Sequence, residues 1–287
     1  MKESWSVKKI FHWSIDYFTK KNIPEPRLST EILLAFVLKL DRLNLYINFD
    51  RPLNQNELKT YREVVERRLK KEPIEYITGY TDFWNIRLKI TLDVLIPRKD
   101  TETLVEACLN LLKNCKKPYK LADIGCGSGA LAISLASELK ESFVFATDIS
   151  EKALEISKEN SKLNKVSDRI IFLKGDLLDP LSNETGFALI ASNPPYISPD
   201  DPDIDESVKL FEPHTAFCSE KGALYFHKNL VDKACDLLDN GGHLALEIGF
   251  KQGKDVEEIF RNSSKYKDIT IVKDYAGHDR VVYGRKA

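Results

Sequence analysis

The first 70 or so residues carry apolar side chains at the spacing of amphipathic helices. Apolar residues three and four positions apart lie on one face of a helix and can be buried together. We therefore expect a helical bundle over residues 1–75, which either packs on the rest of the chain or docks a macromolecular substrate. The pattern predicts three helices, marked by Val7, Ile10, Phe11 and Phe18, by most of 32–40, and by Leu58, Tyr61, Val65 and Leu69, with breaks at Pro24, Pro26 and Pro52.

The pattern changes at about residue 76. Residues 86–90 alternate apolar and polar side chains, which is the period of a strand with one buried face. This alternation predicts a β-hairpin linker over residues 76–96. After it, Asp100 or Thr101 stands where the N-cap of a helix running to about Lys113 would lie.

Residues 97–287 alternate strand-like apolar runs with helical segments. Such alternation is typical of an α/β fold, in which helices cover both faces of a mostly parallel sheet. The last two strands are separated by residues 275–279, too few for a helix, so we expect an antiparallel hairpin at the sheet edge. Strands are expected near 121–125, 143–148, 170–175, 187–192, 243–248, 269–274 and 280–285, and helices near 129–139, 151–164, 221–239 and 251–261.

The composition narrows the function without identifying it. The 287 residues carry a formal net charge of −1, so no overall basic field favours nucleic acid as a partner. The five cysteines include no Cys-x-x-Cys pair and the histidines are scattered, which argues against a disulfide framework or a metal site. The N-terminus lacks a signal-peptide pattern and no apolar run is long enough to span a bilayer. We expect a cytoplasmic protein without a metal.

Three glycines, Gly125, Gly127 and Gly129, lie between an expected strand and an expected helix. Because they lack side chains, they allow a tight turn and let a ligand approach the backbone closely. Asp148 ends the next expected strand, 19 residues after Gly129, where an acid can accept hydrogen bonds from both ribose hydroxyls. The combination predicts a nucleotide-like cofactor rather than an ordinary strand-to-helix turn.

The details of this turn favour S-adenosylmethionine over a dinucleotide. The third glycine comes one residue earlier than in a pyrophosphate-binding turn, and Asp123 precedes the first glycine by two residues. A carboxylate would repel a pyrophosphate but is compatible with the ammonium and sulfonium groups of S-adenosylmethionine. Further along, Asp176 can face the adenine amino group while Leu177 covers the ring; a helix cap or a packing role is the open alternative for both.

The segment Asn193-Pro194-Pro195-Tyr196 follows the apolar run 187–191, which reads as a buried strand. The two prolines remove two backbone donors, so carbonyl groups here are available to other partners. The Asn193 side-chain oxygen and the Pro194 carbonyl can each accept one N–H of a substrate NH2 group, and Tyr196 offers a ring face to a planar group. Holding a weakly nucleophilic amide nitrogen towards an activated methyl group is mostly a matter of positioning. A rigid proline turn is the alternative interpretation.

This set of motifs resembles the class I S-adenosylmethionine-dependent methyltransferases, and more closely the release factor glutamine methyltransferase family. The resemblance implies a Rossmann-like, seven-stranded, mostly parallel sheet with a small N-terminal helical bundle domain. It also implies methyl transfer to the side-chain amide nitrogen of the glutamine in the Gly-Gly-Gln motif of class 1 release factors. Besides the helical N-terminal region, it is carried by the segments 72–79, 94–102, 123–129, 193–197, 211–213 and 279–282.

The resemblance also implies a role for individual residues. The catalytic residues it implies are Asn193, Pro194 and Tyr196, and Pro195 joins them in binding the substrate. Arg98 and Glu247 lie near the same rim but stay outside the catalytic set, because structural roles explain them equally well. The implied domains are residues 1–75 for release-factor docking, 76–96 as linker and 97–287 as the methyltransferase. The cofactor-binding residues it implies are Asp123, Gly125, Cys126, Gly127, Ser128, Gly129, Asp148, Ile149, Asp176, Leu177 and Asn193.

Two other functions remain open. A nucleic-acid methyltransferase acting on adenine or guanine amino groups would share the Asn-Pro-Pro-Tyr motif, but it needs an extruded or single-stranded base and a positive track. Basic residues at 67–71 and 116–117 could contribute to such a track. A non-catalytic scaffold is the other alternative, against which the intact glycine turn, Asp148 and Asn193 argue. We expect class 1 release factors as partners of a monomeric enzyme, with no membrane contact and no stable nucleic-acid binding.

Overall fold

A computed structural model of the chain describes residues 5–113, 115, 118–202 and 204–287. The chain divides into two units, each with its own hydrophobic core. One unit comprises Met1–Gly79 and Glu206–Phe211, and the other comprises Tyr80–Asp205 and Glu212–Ala287. The basic pair at 116–117 lies outside the described residues.

In its described part the first unit consists of helices and loops, with one isolated β-bridge between Ser6 and Pro52. Side chains fix the helix beginnings: Ser6 accepts a hydrogen bond from the Lys9 N–H at 3.3 Å, and Asn54 and Glu57 form a reciprocal capping box. The exposed side chains of Lys71 and Glu206 pair, which joins the short helix near residue 206 to this unit. Its helices are α1 (Val7–Lys20), α2 (Pro26–Leu38), α3 (Arg42–Ile47), α4 (Gln55–Leu69), α5 (Ile74–Thr78) and α9 (Glu206–Phe211).

The predicted bundle is confirmed, and the three apolar patterns correspond to α1, α2 and α4. The buried side chains include Phe18, Leu33 and Leu45, each with no exposed surface. The Tyr61 hydroxyl donates a hydrogen bond to the Ser14 hydroxyl at 2.8 Å, which satisfies two polar groups inside this core. The sequence pattern missed α3 and α5 because helices of six and five residues are too short to display a period.

The second unit begins with a hairpin and continues as an α/β fold. The antiparallel hairpin consists of β1 (Tyr80–Phe83) and β2 (Ile86–Lys89). Seven further strands form one sheet: β3 (Tyr119–Ile124), β4 (Ser142–Asp148), β5 (Ile170–Lys174), β6 (Phe187–Ser192), β7 (Leu238–Glu247), β8 (Tyr266–Lys273) and β9 (Asp279–Lys286). Its helices are α6 (Glu102–Leu112), α7 (Ala130–Glu138), α8 (Glu151–Leu163), α10 (His214–Phe217), α11 (Tyr225–Leu237) and α12 (Gly253–Ser263).

The strand order in the sheet is β5-β4-β3-β6-β7-β9-β8. The first five of these strands run parallel, and β9 is antiparallel to both β7 and β8. The seven-stranded, mostly parallel sheet and its terminal hairpin are therefore confirmed. Thr101 stands at the N-cap position of α6, as one of the two predicted candidates, but its side chain forms no cap hydrogen bond, and a 3-10 turn over Lys99–Thr101 leads into the helix.

The position of β3 determines where a ligand can bind. The chain winds from β3 outwards to β5, then returns to place β6 on the other side of β3. Ligands of open parallel sheets bind at the carboxyl ends of the strands, at this reversal. Ile124 pairs with Ser192 at that end, so the glycine turn and the Asn193 loop leave the sheet side by side. In the described part of the chain, no helix has the length and hydrophobicity needed to cross a membrane.

Candidate active site

A cavity of about 600 Å³ lies at the carboxyl ends of β3, β4 and β6. The loops after β3 to β6 form most of its wall, together with the segment before α6 and residues of 213–226. Cavities of this size hold cofactors and small ligands. Twelve of the site residues that the sequence implied are on this wall: Asp123, Gly125, Cys126, Gly127, Ser128, Asp148, Ile149, Asp176, Leu177, Asn193, Pro194 and Pro195.

Backbone conformation shapes the glycine turn. The φ angles of Gly125, Gly127 and Gly129 are 73°, 54° and 84°. Residues that carry a side chain rarely adopt such positive values. A Cβ atom at Gly125 or Gly127 would meet no protein atom within 4 Å, so these two positions face open space. A Cβ at Gly129 would lie 2.3 Å from the Ser157 hydroxyl oxygen. Gly129 is not on the cavity wall, and its absent side chain lets α7 start close to α8.

Asp148 is positioned by two backbone N–H groups. Its Oδ2 accepts from Gly127 and its Oδ1 accepts from Ser150, both at 2.8 Å. Burial raises the pKa of this carboxyl group, against the opposing effect of these N–H donors. The Ile149 N–H also lowers the pKa of this group. A carboxylate has about four acceptor sites, so Asp148 keeps acceptor capacity for a ligand hydroxyl such as that of a ribose.

Asp123 is buried and contributes to the start of α7. Its Oδ2 accepts a hydrogen bond from the Ala132 N–H at 3.0 Å, one of the N–H groups that the first turn of a helix leaves unpaired. Burial raises the pKa of Asp123 to about 7, and the nearby Asp148 charge adds to the effect. A cation in the cavity would favour the charged form of this group, whereas a phosphate would oppose it.

The loop after β6 carries free acceptor groups. The Asn193 side chain donates a hydrogen bond from Nδ2 to the Thr101 hydroxyl oxygen at 3.2 Å, and this contact fixes which way the amide points. Among the described residues, none donates to Asn193 Oδ1 or to the Pro194 carbonyl. The Ser192 hydroxyl donates to the Ile124 carbonyl at 2.7 Å and ties this loop to the end of β3. Two unused acceptors therefore stand beside the glycine turn.

Tyr196 lies beside the cavity wall rather than on it. Its hydroxyl donates to Glu247 Oε1 at 3.2 Å, and its backbone carbonyl accepts from Gln252 Nε2 at 3.0 Å. Burial and the Glu247 charge raise the pKa of the phenol, so it stays protonated and acts as a donor. Whether its ring contacts a substrate stays a prediction.

Asp176 and Leu177 follow β5 on the same wall. Leu177 has a φ of 44°, and its carbonyl accepts a hydrogen bond from the Thr147 hydroxyl at 3.0 Å. This contact joins the loop after β5 to the end of β4. The backbone at Leu177 is therefore held where it can border a ligand bound over Asp148.

The chain matches known families over most of its length. A family model described as the PrmC N-terminal domain matches residues 9–79, and one described as the methyltransferase small domain matches residues 101–268. The release factor glutamine methyltransferase of Fusobacterium nucleatum is 39% identical over 97% of this chain and 78% of its own length. That of Geobacter sulfurreducens is 37% identical over 99% of this chain and 98% of its own length. The chain belongs to the release factor glutamine methyltransferase family.

Solved structures share the fold of a large part of the chain. The hMettl16 catalytic domain in complex with the MAT2A 3′UTR hairpin 6 has a TM-score of 0.55 at 18% identity, over 70% of this chain and 75% of its own. The delta-N METTL16 methyltransferase domain has a TM-score of 0.53 at 20% identity, over 69% of this chain and 87% of its own. At this identity the likeness establishes the methyltransferase fold alone.

Membership of the release factor glutamine methyltransferase family makes this chain an enzyme that uses S-adenosylmethionine. The cavity fits that cofactor chemically. Space over Gly125 and Gly127 admits a ligand against the backbone, and Asp148 keeps free lone pairs for a ribose. Asp123 offers an acidic group to a cationic ligand.

Sequence reasoning missed two parts of the wall. Thr101, which orients Asn193, was considered only as a helix cap, although it lies in the segment 94–102 that carries the family resemblance. The wall residues within 213–226 follow Glu212, a buried carboxylate that pairs with Arg98 at 2.5 Å and accepts the Ile96 N–H at 3.3 Å. Only the Phe211-Glu212-Pro213 motif signalled this region in the sequence. Arg98 thus has a structural partner.

Proposed function

We propose that this protein transfers a methyl group from S-adenosylmethionine to the side-chain amide nitrogen of the glutamine in the Gly-Gly-Gln motif of class 1 release factors. Relatives named release factor glutamine methyltransferase align with nearly the whole chain, which supports this substrate. The observation that carries the proposal is the pair of unused acceptors, Asn193 Oδ1 and the Pro194 carbonyl, beside the glycine turn.

The two acceptors suit a primary amide. A glutamine side chain ends in an NH2 group with two hydrogens, and each acceptor takes one of them. These hydrogen bonds orient the nitrogen and stabilise the positive charge that develops on it as the new bond forms. Thr101 accepts the Asn193 N–H, which leaves the Asn193 side-chain oxygen free to accept from the substrate.

The cofactor-binding residues act mainly through the backbone. Asp148 accepts the ribose hydroxyl hydrogens, and the glycine turn admits the amino-acid part of the cofactor. Asp123, Cys126, Ser128 and Ile149 border it, and Asp176 and Leu177 border the adenine. S-adenosylmethionine supplies an activated methyl group on a sulfonium centre, so no metal or strong general base is required of the protein.

The partners follow from the substrate. Residues 1–75 form the release-factor docking domain, 76–96 the linker and 97–287 the methyltransferase domain. A release factor acts in translation, so the enzyme works in the cytoplasm, as a monomer that encounters its substrate transiently. The net charge of −1 supports the absence of stable nucleic-acid binding.

The test is identification of the methylated atom. The protein is incubated with methyl-labelled S-adenosylmethionine and a class 1 release factor, and the product is mapped by peptide mass spectrometry. We expect one methyl group on the Gly-Gly-Gln glutamine and none on a release factor whose glutamine is changed to glutamate. Label in ribosomal RNA or DNA, with none on the glutamine, would overturn the proposal in favour of a nucleic-acid methyltransferase.

A further inference from the structure

A buried carboxyl group lies next to the Asn193 loop. Glu247 is the last residue of β7 and is 1% exposed. β7 pairs with β6 up to Ser192 and Leu246, so Glu247 stands level with the beginning of the loop. Because an unpaired buried carboxylate is costly, such a group needs partners or a function.

The partners of Glu247 are the groups that position the loop. The Tyr196 hydroxyl donates to Oε1 at 3.2 Å. The Thr101 hydroxyl favours the charged form of the carboxyl group, and its oxygen already accepts the Asn193 N–H. The hydrogen of Thr101 is thus available to the carboxylate. Oε2 has no hydrogen-bond partner among the described residues, so it is an open acceptor for this hydrogen.

The surroundings hold Glu247 in place from three further elements. Neutral His227, on α11, donates from Nε2 to the Glu247 backbone carbonyl at 2.9 Å. The charge of Arg280, on β9, lowers the pKa of Glu247, whereas the charge of Asp100, before α6, raises it. Arg280 itself is held by Asp100 and Asp274, each at 3.1 Å. The carboxyl group therefore contacts Tyr196 directly, and its unpaired Oε2 is an acceptor for the hydroxyl of Thr101, the residue that holds Asn193.

We propose that Glu247 is a positioning residue for methyl transfer, which orients Tyr196 directly and Asn193 through Thr101. This inference rests on the proposed function. Two hydroxyl donors need two acceptor lone pairs, which a carboxylate supplies. Without it, Thr101 can turn its hydrogen elsewhere and the Asn193 amide loses its fixed direction. The effect is on the reacting geometry rather than on cofactor affinity.

The variant Glu247→Gln tests this role in the full-length protein. The amide keeps the shape but has one acceptor oxygen instead of two, so we expect kcat on the release factor to fall by about 10- to 100-fold. The cofactor Kd and the release-factor KM should stay within about twofold of the parent, because the residues that bind the cofactor are unchanged. Glu257→Gln, at a half-buried position of α12 where the side chain pairs with Arg261, is the matched control and should leave kcat unchanged.

Two further measurements separate positioning from general support of the fold. Thr101→Val should lower kcat as Glu247→Gln does, and the double variant should lose little more than either one. Thr101→Ser should restore most of the rate.

The second measurement is the pH dependence of kcat. Burial raises the pKa of Glu247 to about 7, although Thr101, Arg280 and Tyr196 each lower it. The parent kcat should therefore rise with pH through about 7, and Glu247→Gln should lose this rise.

The outcomes separate the two hypotheses. If the parent methylates the release-factor glutamine and Glu247→Gln has the same kcat, the positioning role is refuted while the proposed function stands. Equal losses of kcat and cofactor affinity would also refute it, because they indicate general disruption. If the parent places no methyl group on the glutamine, the proposed function itself fails.

Discussion

The two halves of the candidate active site are held in different ways. The glycine turn after β3 owes its shape to backbone conformation: Gly125, Gly127 and Gly129 all have positive φ, and backbone N–H groups hold Asp148. The loop after β6 is held by side chains from distant parts of the sequence. Thr101 fixes Asn193, and Glu247 fixes Tyr196.

This difference has a consequence for substitutions. Where the backbone sets the geometry, adding a side chain disturbs the site, and the damage appears in cofactor affinity and stability. Where side chains set it, removing a polar atom disturbs the site, and the damage appears in the rate of transfer. Each half should therefore fail with its own kinetic signature.

The largest effect is expected for Asn193→Ala. It removes the acceptor for one amide hydrogen, so we expect kcat to fall by about 1000-fold, which corresponds to roughly 4 kcal/mol of transition-state stabilisation. The cofactor Kd, measured by isothermal titration calorimetry, should change by no more than about threefold, because the glycine turn and Asp148 are intact. Asn240→Ala, on the exposed surface, is the control. A parallel loss of cofactor affinity would show that the two halves are not separable.

The second prediction concerns the stability cost of the carboxyl group that supports the β6 loop. Burial raises the pKa of Glu247 from 4.5 to about 7, so the folded protein binds a proton more tightly than the unfolded chain does. The free energy of unfolding that Glu247 contributes is therefore fully present below about pH 4.5 and is lost as the pH rises through about 7. At about 1.4 kcal/mol for each pKa unit, the loss is on the order of 3 kcal/mol.

Glu247→Gln removes this titration. Urea unfolding of the variant and the parent should show the variant gaining relative stability between pH 5 and pH 8, by on the order of 3 kcal/mol. Glu257→Gln, on α12, reports the pH dependence common to both proteins. A stability difference that does not vary with pH would mean that Glu247 titrates at an ordinary pKa. The carboxyl group that supports the loop after β6 would then not destabilise the folded protein at high pH.

The sequence predicted the features that depend on local or periodic signals. The order of strands and helices in 97–287 follows from apolar runs, and the positions of Gly125, Gly127 and Asp148 follow from strand ends. The contacts of Thr101 and Glu247 could not be predicted in this way. Their partners lie 92 and 51 residues away. Glu247 meets Tyr196 because β6 and β7 are neighbours in the sheet, and Thr101 meets Asn193 from the turn before α6.

The N-terminal unit shows the same division. α1, α2 and α4 are long enough to bury a repeating face, and their apolar positions are visible in the sequence. α3 and α5 are single turns or little more, and tertiary packing rather than periodicity determines them. The side chain of Tyr61 meets Ser14 across 47 residues, a contact that no local pattern encodes.

The smallest effects are expected within the backbone-held half, where two glycines should fail differently. In Gly129→Ala the new Cβ would lie 2.3 Å from Ser157 Oγ at a φ of 84°, so we expect the free energy of unfolding to fall by about 2 kcal/mol. In Gly127→Ala the Cβ meets no protein atom, and only the left-handed conformation is strained, at about 1 kcal/mol.

Cofactor affinity should show the opposite order. The Cβ of Gly127→Ala enters the cavity, so the Kd for S-adenosylmethionine should rise by about tenfold or more, whereas Gly129 is not on the cavity wall. Gly277→Ala is the matched control, because it has a φ of 86°, open surroundings and a position in the turn between β8 and β9. It should share the stability loss of Gly127→Ala and keep the parent Kd. Equal Kd values for Gly127→Ala and Gly277→Ala would mean that the glycine turn serves the fold alone, and the cofactor would then have to bind against another part of the wall.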